Sequence, residues 1–246
     1  MFTIIGLGEV LWDIFEDGKV LGGAPANFAY HVHCLQHTGL PLSRVGTDTL
    51  GEQIVQSLDA VGLCTGFIQR DPEHPTGQVH VTLDGNGAPQ FKIMEDVAWD
   101  YLQPERRWKD AARGADAICF GTLCQRSECS RRTIRTVLEE SEDATIVLDL
   151  NLRQQFYNPE IISDSLDRCT ILKLNLAEVN RIRELLGVPG SEKNFIRTLM
   201  DDHGIELCCV TRGEDGCRLY AHDEQISSTA PTTEATDTVS CGAAFA

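Results

Sequence analysis

Residues 145–175 read TIVLDLNLRQQFYNPEIISDSLDRCTILKLN, and they predict a strand–helix–strand unit. The apolar runs at both ends are continuous, which is typical of strands buried on both faces of a parallel sheet. Between them, a helix is predicted from about Pro159 to Arg168. The same alternation extends outward to ADAICFG (115–121) and ELCCVTRG (206–213). We therefore expect an α/β fold with a mainly parallel central sheet that is covered on both faces.

The first hundred residues follow a different pattern. Short runs of alternating apolar and polar residues predict strands within 10–22 and 64–97, and the DGNG string at Asp84–Gly87 is a hairpin turn signal. A helix is predicted from about Pro25 to Gln36. We expect the strands of 10–22 and 64–97 to form a small sheet beside the main one, within a single domain that covers residues 1–246.

The composition restricts the classes of function. With 37 acidic and 21 basic residues, the formal net charge is −16, which repels nucleic acids and anionic membrane surfaces. The chain has no run of 18 apolar residues, and its N-terminus lacks the basic start of a signal peptide. None of the ten cysteines forms a CxxC pair, which favours reduced thiols. We therefore expect a cytoplasmic protein that binds neither nucleic acid nor membrane.

Polar residues follow the predicted strands at their carboxyl ends, where open α/β sheets bind ligands. They are Glu9, Asp13, Asp149, Asn151, Arg153, Asn175, Glu178 and Thr211, and two glycines, Gly213 and Gly216, follow the last of them. The dinucleotide-binding fingerprint is incomplete at Gly6 and Gly8, because Leu11 occupies the position of the third glycine. No GxxxxGK[ST] string occurs either. The residues thus predict a ligand site at one edge of the sheet and exclude two common nucleotide motifs.

Seven short strings together give the chain a family resemblance. In chain order they are GEVLWD (8–13), GGAPAN (22–27), RVGTDTLGEQI (44–54), LDLNLR (148–153), KLNLAEV (173–179), VTRGEDG (210–216) and DTVSCGAAF (237–245). In this order and spacing the chain resembles the ribokinase-type (PfkB) carbohydrate kinases, and its N-terminal third is most similar to fructokinases. The resemblance implies a ribokinase-like three-layer α/β/α sandwich with a small β lid. It also implies that ATP and Mg²⁺ are used to phosphorylate a sugar hydroxyl.

The same resemblance implies a sugar site. Asp13 and Asn27 would bind sugar hydroxyls, and Gly23 would line the approach. Gly22 and Gly23 can take a positive φ that lets the lid segment fold back over the core. Asn151 and Arg153 would lie between sugar and phosphates, because a guanidinium holds either in fork geometry. The alternatives are a local backbone bond for Asn27, a solvated Asp13 and a surface ion pair for Arg153. Fructose is favoured over ribose, 2-keto-3-deoxygluconate or a nucleoside only because the first two strings resemble those of fructokinases.

The nucleotide site implied by the resemblance uses three later strings. Asn175 and Glu178 match the family's N-x-x-E element, in which the glutamate orders Mg²⁺ through water around the triphosphate. The alternative is an ordinary helix start, where the helix dipole favours a glutamate. Thr211, Gly213 and Gly216 match a turn whose glycines let the backbone approach ATP.

The last string departs from the family pattern D-T-x-G-A-G-D. In that pattern backbone N–H groups form an anion hole and the final Asp is the general base for the sugar hydroxyl. Here Asp237 and Thr238 belong to the implied nucleotide site, and Ala243 occupies the position of the base. The anion-hole positions are Ser240, Cys241 and Gly242. Because alanine cannot accept a proton, we expect impaired phosphoryl transfer; the alternative is a non-catalytic sugar- or nucleotide-binding pseudokinase or a truncated relic.

Two further expectations concern the end of the chain and its assembly. The resemblance implies helices beyond the last string, whereas the sequence ends at Ala246, so we expect the phosphoryl-transfer half to be incomplete. The small sheet is expected to be exposed on one side, which favours a homodimer through the lid.

Overall fold

The computed structural model describes residues 1–83, 89–222 and 224–230. The strands in these ranges are β1 (Thr3–Leu7), β2 (Leu11–Phe15), β3 (Gly18–Gly22), β4 (Thr38–Gly46), β5 (Ile68–Asp71), β6 (Gln78–Leu83), β7 (Pro89–Ile93), β8 (Ala117–Gly121), β9 (Thr145–Asp149), β10 (Ile171–Asn175), β11 (Leu207–Thr211), β12 (Cys217–Ala221) and β13 (Gln225–Ser228). The α-helices are α1 (Ala24–Cys34), α2 (Thr49–Ala60), α3 (Arg106–Arg113), α4 (Glu128–Glu139), α5 (Pro159–Leu166), α6 (Leu176–Leu186) and α7 (Glu192–His203).

The large sheet has nine strands in the order β13-β12-β11-β10-β9-β8-β1-β4-β5. All neighbours from β11 to β5 are parallel, whereas β12 and β13 are added antiparallel at one edge. The expected mainly parallel sheet is therefore confirmed. Its strands are the apolar runs of the sequence, which need cover on both faces because successive side chains point to opposite sides.

Alternate side chains of the strands enter different apolar clusters. Ile118 and Phe120 of β8 belong to the principal core, which also contains apolar residues of α3–α7. Cys119, which lies between them, packs with Phe28 and Val32 of α1 on the opposite face. On that face α2 also packs against β4. The helices thus cover both faces of the sheet, as the three-layer expectation requires.

The small sheet has four strands in the order β3-β2-β6-β7. Across it, Asp13 pairs with Val20 and Val79, and Val79 pairs with Ile93. Residues paired in this way project from the same face of a sheet. Because Val79 and Ile93 belong to the principal core, Asp13 also projects toward the body of the molecule. The predicted turn at Asp84–Gly87 lies outside the described residues.

One part of the predicted small sheet is wrong. Residues 68–71 were expected there, but β5 pairs with β4 at the edge of the large sheet. Ile68 packs with Leu63 and Ile54 beneath α2, and Asp71 receives an ion pair from Arg44 at 2.9 Å. A four-residue alternating strand fits either sheet by its pattern alone, so these tertiary partners decide its place.

None of the helices in the described ranges is long and apolar enough to cross a membrane. The nine cysteines in the same ranges are all free thiols. Seven of them are buried or half-buried, whereas Cys34 and Cys64 are exposed.

Candidate active site

Neighbouring strands of the large sheet bring polar residues to one edge. Glu9 follows β1, Asp149 ends β9, Asn175 ends β10 and Thr211 ends β11. Asp149 pairs with Lys173 across β9 and β10, and Asn175 pairs with Thr211 across β10 and β11. Strand ends that are far apart in the chain thus meet because the strands are parallel neighbours, as the sequence predicts.

Two glycines join the small sheet to this edge. Gly23 has φ 110°, and a Cβ there would collide with the carbonyl oxygen of Glu9, so only glycine lets α1 start so close to β1. This confirms the expected positive φ at Gly23. The same expectation is wrong for Gly22, which has no positive φ; glycine is needed there because a Cβ would collide with the carboxylate of Asp13. The two glycines therefore place Asp13 and the first turn of α1, which contains Asn27, side by side.

The loop after β9 carries Asn151 and Arg153. Asn151 has φ 42° and Gln154 has φ 48°, a left-handed region that asparagine tolerates better than most residues. The loop is held at two points: the N–H of Leu152 donates to Glu178 Oε1 at 2.8 Å, and the side-chain amide of Gln154 donates to the carbonyl of Phe91. It therefore bridges the large sheet and the small sheet, and Arg153 is exposed on it.

Asn175 and Glu178 form a reciprocal cap at the start of α6. Asn175 Oδ1 accepts from the N–H of Glu178 at 2.9 Å, and Glu178 Oε2 accepts from the N–H of Asn175 at 2.8 Å. The pair therefore forms an ordinary helix start, which was the alternative given for these two residues. Because Glu178 also accepts a hydrogen bond from the loop after β9, it helps to hold that loop at the site. Glu178 is buried, and this burial raises the pKa of its carboxyl group.

These contacts limit how Glu178 could serve Mg²⁺. Both of its oxygens already accept a backbone N–H, and only their remaining lone pairs are available for water. In the described ranges, no group of three or more His, Cys, Asp or Glu residues could hold a metal ion. The residues therefore fit an ion that is bound through waters and substrate phosphates, and they do not fit a cage of protein ligands.

Glu178→Gln is expected to lower the free energy of unfolding by about 1–3 kcal/mol, because one amide nitrogen would then face a backbone N–H and leave it unpaired in a buried place. Urea unfolding monitored by circular dichroism measures this change. Glu184→Gln, on the exposed part of α6, is the matched control. Equal stability of the two variants would contradict the capping role.

Lys173 and Asp149 form a buried ion pair that sequence reasoning missed. Their atoms Nζ and Oδ1 are 2.9 Å apart, and the side chains are only 7% and 6% exposed. Burial raises the pKa of Asp149, and the charge of Lys173 opposes this shift. The sequence feature that could have indicated this pair is the lysine in the apolar run ILKLN. A lysine buried in such a strand needs an acidic partner on the same face of the sheet.

The turn after β11 contains the remaining predicted residues that the structure describes. Thr211 ends the strand, and Gly213 and Gly216 have φ 60° and 86°. A Cβ at Gly216 would collide with the carbonyl of Ser228, so this glycine is needed for the packing of β13. The last predicted group lies outside the described residues. It consists of Asp237, Thr238, Ser240, Cys241, Gly242 and Ala243.

Known proteins are similar to this chain in sequence and in fold. An uncharacterized sugar kinase of Pyrococcus horikoshii is 27% identical over 260 residues, covering 98% of this chain and 79% of the relative. Its crystal structure matches with a TM-score of 0.84 over 99% of this chain and 81% of that one, and it has also been solved in complex with ATP. Fructokinase-2 of Oryza sativa subsp. japonica is 26% identical over 262 residues, covering 98% of this chain and 77% of the relative.

A fructokinase with bound ATP from Xylella fastidiosa has the same fold, with a TM-score of 0.87 at 19% identity; 99% of this chain and 78% of that one are covered. Residues 7–246 match the pfkB family carbohydrate kinase, which is nearly the whole sequence. The chain therefore belongs to the pfkB family of carbohydrate kinases, which phosphorylate sugars at the expense of ATP.

Proposed function

We propose that this chain binds a sugar, with fructose favoured, between the small sheet and the strand ends of the large sheet. The main observation in support is that Asp13 projects from the small sheet toward the body of the molecule, next to Gly22 and the first turn of α1. In this proposal Asp13 and Asn27 bind sugar hydroxyls and Gly23 lines the approach. Asn151 and Arg153 contact the sugar and the transferred phosphate from the loop after β9.

The nucleotide is proposed to bind beside this sugar, at the ends of β10 and β11. Asn175 and Glu178 face the triphosphate, with Glu178 acting through water, and Thr211, Gly213 and Gly216 lie along the nucleotide. Bound Mg²⁺ supplies positive charge that offsets the charge of the phosphates. The protein's share of catalysis is then to position the sugar and the triphosphate in line and to stabilise charge on the transferred group.

Turnover is proposed to be impaired, because Ala243 occupies the position at which the family has its general base. The alternative is a non-catalytic protein that binds sugar or nucleotide. Position 243 favours this alternative, whereas the intact sugar and N-x-x-E residues favour a kinase. Both versions predict a bound sugar, and they differ in the rate of ADP release.

A coupled ADP-release assay tests the proposal on the unaltered chain with fructose, ribose, 2-keto-3-deoxygluconate and a nucleoside. Slow turnover with fructose is the expected result, and isothermal titration with fructose and ATP separately gives the two affinities. Binding without turnover would favour the non-catalytic alternative. Binding of neither a sugar nor ATP would contradict both.

Asp13→Asn is expected to weaken sugar binding by about 10-fold to 100-fold, since a hydrogen bond to a charged group contributes about 1.5–3 kcal/mol. ATP binding should be unchanged, because Asp13 lies on the small sheet and not at the nucleotide end. Titration calorimetry with each ligand measures both affinities. Asp17→Asn, in the exposed turn of the same hairpin, is the control. Unchanged sugar affinity in Asp13→Asn would contradict the assignment.

The proposal also includes a cellular location and an oligomeric state. A cytoplasmic location is supported by the free thiols of the described ranges. A homodimer through the small sheet is supported by Val20 and Phe91, which are 46% and 43% exposed at opposite edges of the sheet, on the same face as Asp13. Sedimentation of the unaltered chain and of Val20→Asp tests the dimer: a monomer in both cases would contradict it.

A further inference from the structure

Arg126 is a buried arginine at the end of the short turn that follows β8. Its side chain is only 7% exposed, and its Nε and Nη2 each donate to the carboxylate of Asp100 at 2.8 Å. Nη2 also donates to the carbonyl oxygen of Met94 at 2.6 Å. A buried cation needs an anionic partner, and two parallel hydrogen bonds fix the plane of the guanidinium as well as its charge. Arg126 is therefore held by the return segment, residues 94–102, which leads from the small sheet back to α3.

The return segment is itself attached to the large sheet and its helices. Ser130 of α4 donates its Oγ–H to the carbonyl oxygen of Trp99 at 2.8 Å. From β4, Arg44 Nη1 donates to the carbonyl oxygen of Tyr101 at 2.6 Å. The side chain of Trp99 is fully buried in the principal core. Arg126 is thus bound to a segment that is fixed on two sides.

The guanidinium of Arg126 also contacts the loop after β9. Its central carbon lies 4.6 Å from the centre of the Phe156 ring and 4.0 Å from the centre of the Trp99 ring. Both distances are within the range of a cation–π interaction, which is stronger where water is excluded. Phe156 is half-buried against the principal core. Arg126 therefore connects the start of α4, the return segment and the loop after β9.

Phe156 in turn helps to set the backbone of the residues assigned to the sugar site. Its N–H donates to the carbonyl oxygen of Arg153 at 2.9 Å, which closes a turn within the loop. In the same loop Asn151 and Gln154 have φ 42° and 48°, and a non-glycine residue keeps such a conformation only when its surroundings hold it. The contact between Phe156 and Arg126 is one of the interactions that hold it.

We propose that Arg126 is a positioning residue for sugar binding, which holds the loop after β9 through Phe156 so that Asn151 and Arg153 are presented to the sugar. This inference rests on the proposed function for the roles of Asn151 and Arg153. Arg126 does not itself touch the sugar. When its contact with Phe156 is lost, the strained loop relaxes and sugar affinity falls, whereas the nucleotide site at the ends of β10 and β11 is unaltered.

Phe156→Leu tests the proposal, because leucine still packs on the core but offers no ring to the guanidinium. Fructose affinity, measured by titration calorimetry, should fall about 3-fold to 30-fold, the range expected for a cation–π contact, while ATP affinity is unchanged. Phe156→Tyr keeps the ring and should bind fructose as the unaltered chain does. Unchanged fructose affinity in Phe156→Leu would overturn the proposal and would leave Phe156 a purely structural role.

The neighbouring residue provides a matched control. Tyr157 is also half-buried against the core, and its ring and hydroxyl contact Arg181 on the exposed face of α6. Tyr157→Leu therefore removes an aromatic ring and an arginine contact from the same loop without touching Arg126. It should change fructose affinity by less than about twofold. An equal loss in Tyr157→Leu and Phe156→Leu would contradict the proposal.

Arg126→Lys tests the other partner of the contact. Lysine keeps the charge beside Asp100, but its ammonium group can neither make the paired hydrogen bonds nor lie flat on a ring. The variant should lose at least as much fructose affinity as Phe156→Leu. Adding Phe156→Leu to it should cost no further affinity, because the two changes remove one contact. Additive losses would overturn the proposal; Arg132→Lys, on the exposed face of α4, is the control.

A further measurement needs no sugar. Hydrogen exchange at the amides of residues 151–156 should be faster in Phe156→Leu than in Phe156→Tyr, and exchange in α5 should be the same in both. Equal exchange at residues 151–156 would contradict the proposal. If the unaltered chain bound none of the sugars, the proposed function would fail, whereas the exchange result would still decide whether Arg126 holds the loop.

Discussion

Ala243→Asp is expected to increase turnover of the chain with fructose by about 10²–10⁴-fold, the usual contribution of a positioned general base. The new carboxylate would accept the proton of the sugar hydroxyl. The oxygen of that hydroxyl would attack the γ-phosphorus of ATP, and ADP would leave. The KM for the sugar should change little, because Asp13 and Asn27 are unaltered. A coupled ADP-release assay on both chains gives the two rates.

The neighbouring position provides a matched control for this gain. Ala244→Asp adds the same charge one residue later, and it should not restore turnover if the effect depends on placement. Fast turnover by the unaltered chain would contradict the impairment. Ser240→Gly in the Ala243→Asp background tests a second departure from the family pattern, which has glycine at this position. If the position needs a positive φ, the glycine removes about 1–2 kcal/mol of strain.

Lys173→Met is expected to lower the free energy of unfolding by about 3–5 kcal/mol, because it leaves the buried carboxylate of Asp149 without its partner. The loss should depend on pH. Without Lys173 the folded-state pKa of Asp149 is raised further above its unfolded value, so the folded chain is favoured at low pH and loses stability as the pH rises. Urea unfolding at pH 5 and pH 8 measures both effects, and the loss should be larger at pH 8.

Two further variants make this prediction specific. Asp149→Leu combined with Lys173→Met replaces both charges and should recover much of the stability, since an apolar pair avoids the desolvation of a lone charge. Lys109→Met breaks a half-exposed pair with Glu140 at 3.4 Å and should cost less than about 1 kcal/mol. A similar loss in Lys109→Met and Lys173→Met would contradict the argument from burial.

The α/β part of the fold was predictable because its signals are local. The continuous apolar runs at 146–148 and 207–210 have no polar face, so they require a sheet covered on both sides. The helices between them begin and end at capping residues, as at Asn158 and Gly204. For the same reason the small sheet was found only in part: β5 has the alternation of a small-sheet strand, and its partner β4 is set by long-range packing.

In the candidate site, too, the local features were predictable from the sequence and the long-range contacts were not. The sequence by itself determined the family, the polar residues at the strand ends and the glycine at position 23, because each depends on the identity of a residue at a local backbone position. Only the tertiary structure decided that Lys173 pairs with Asp149 and that Glu178 holds the loop after β9. These are contacts between strands and loops distant in the chain, and their energies depend on burial, which no local pattern specifies.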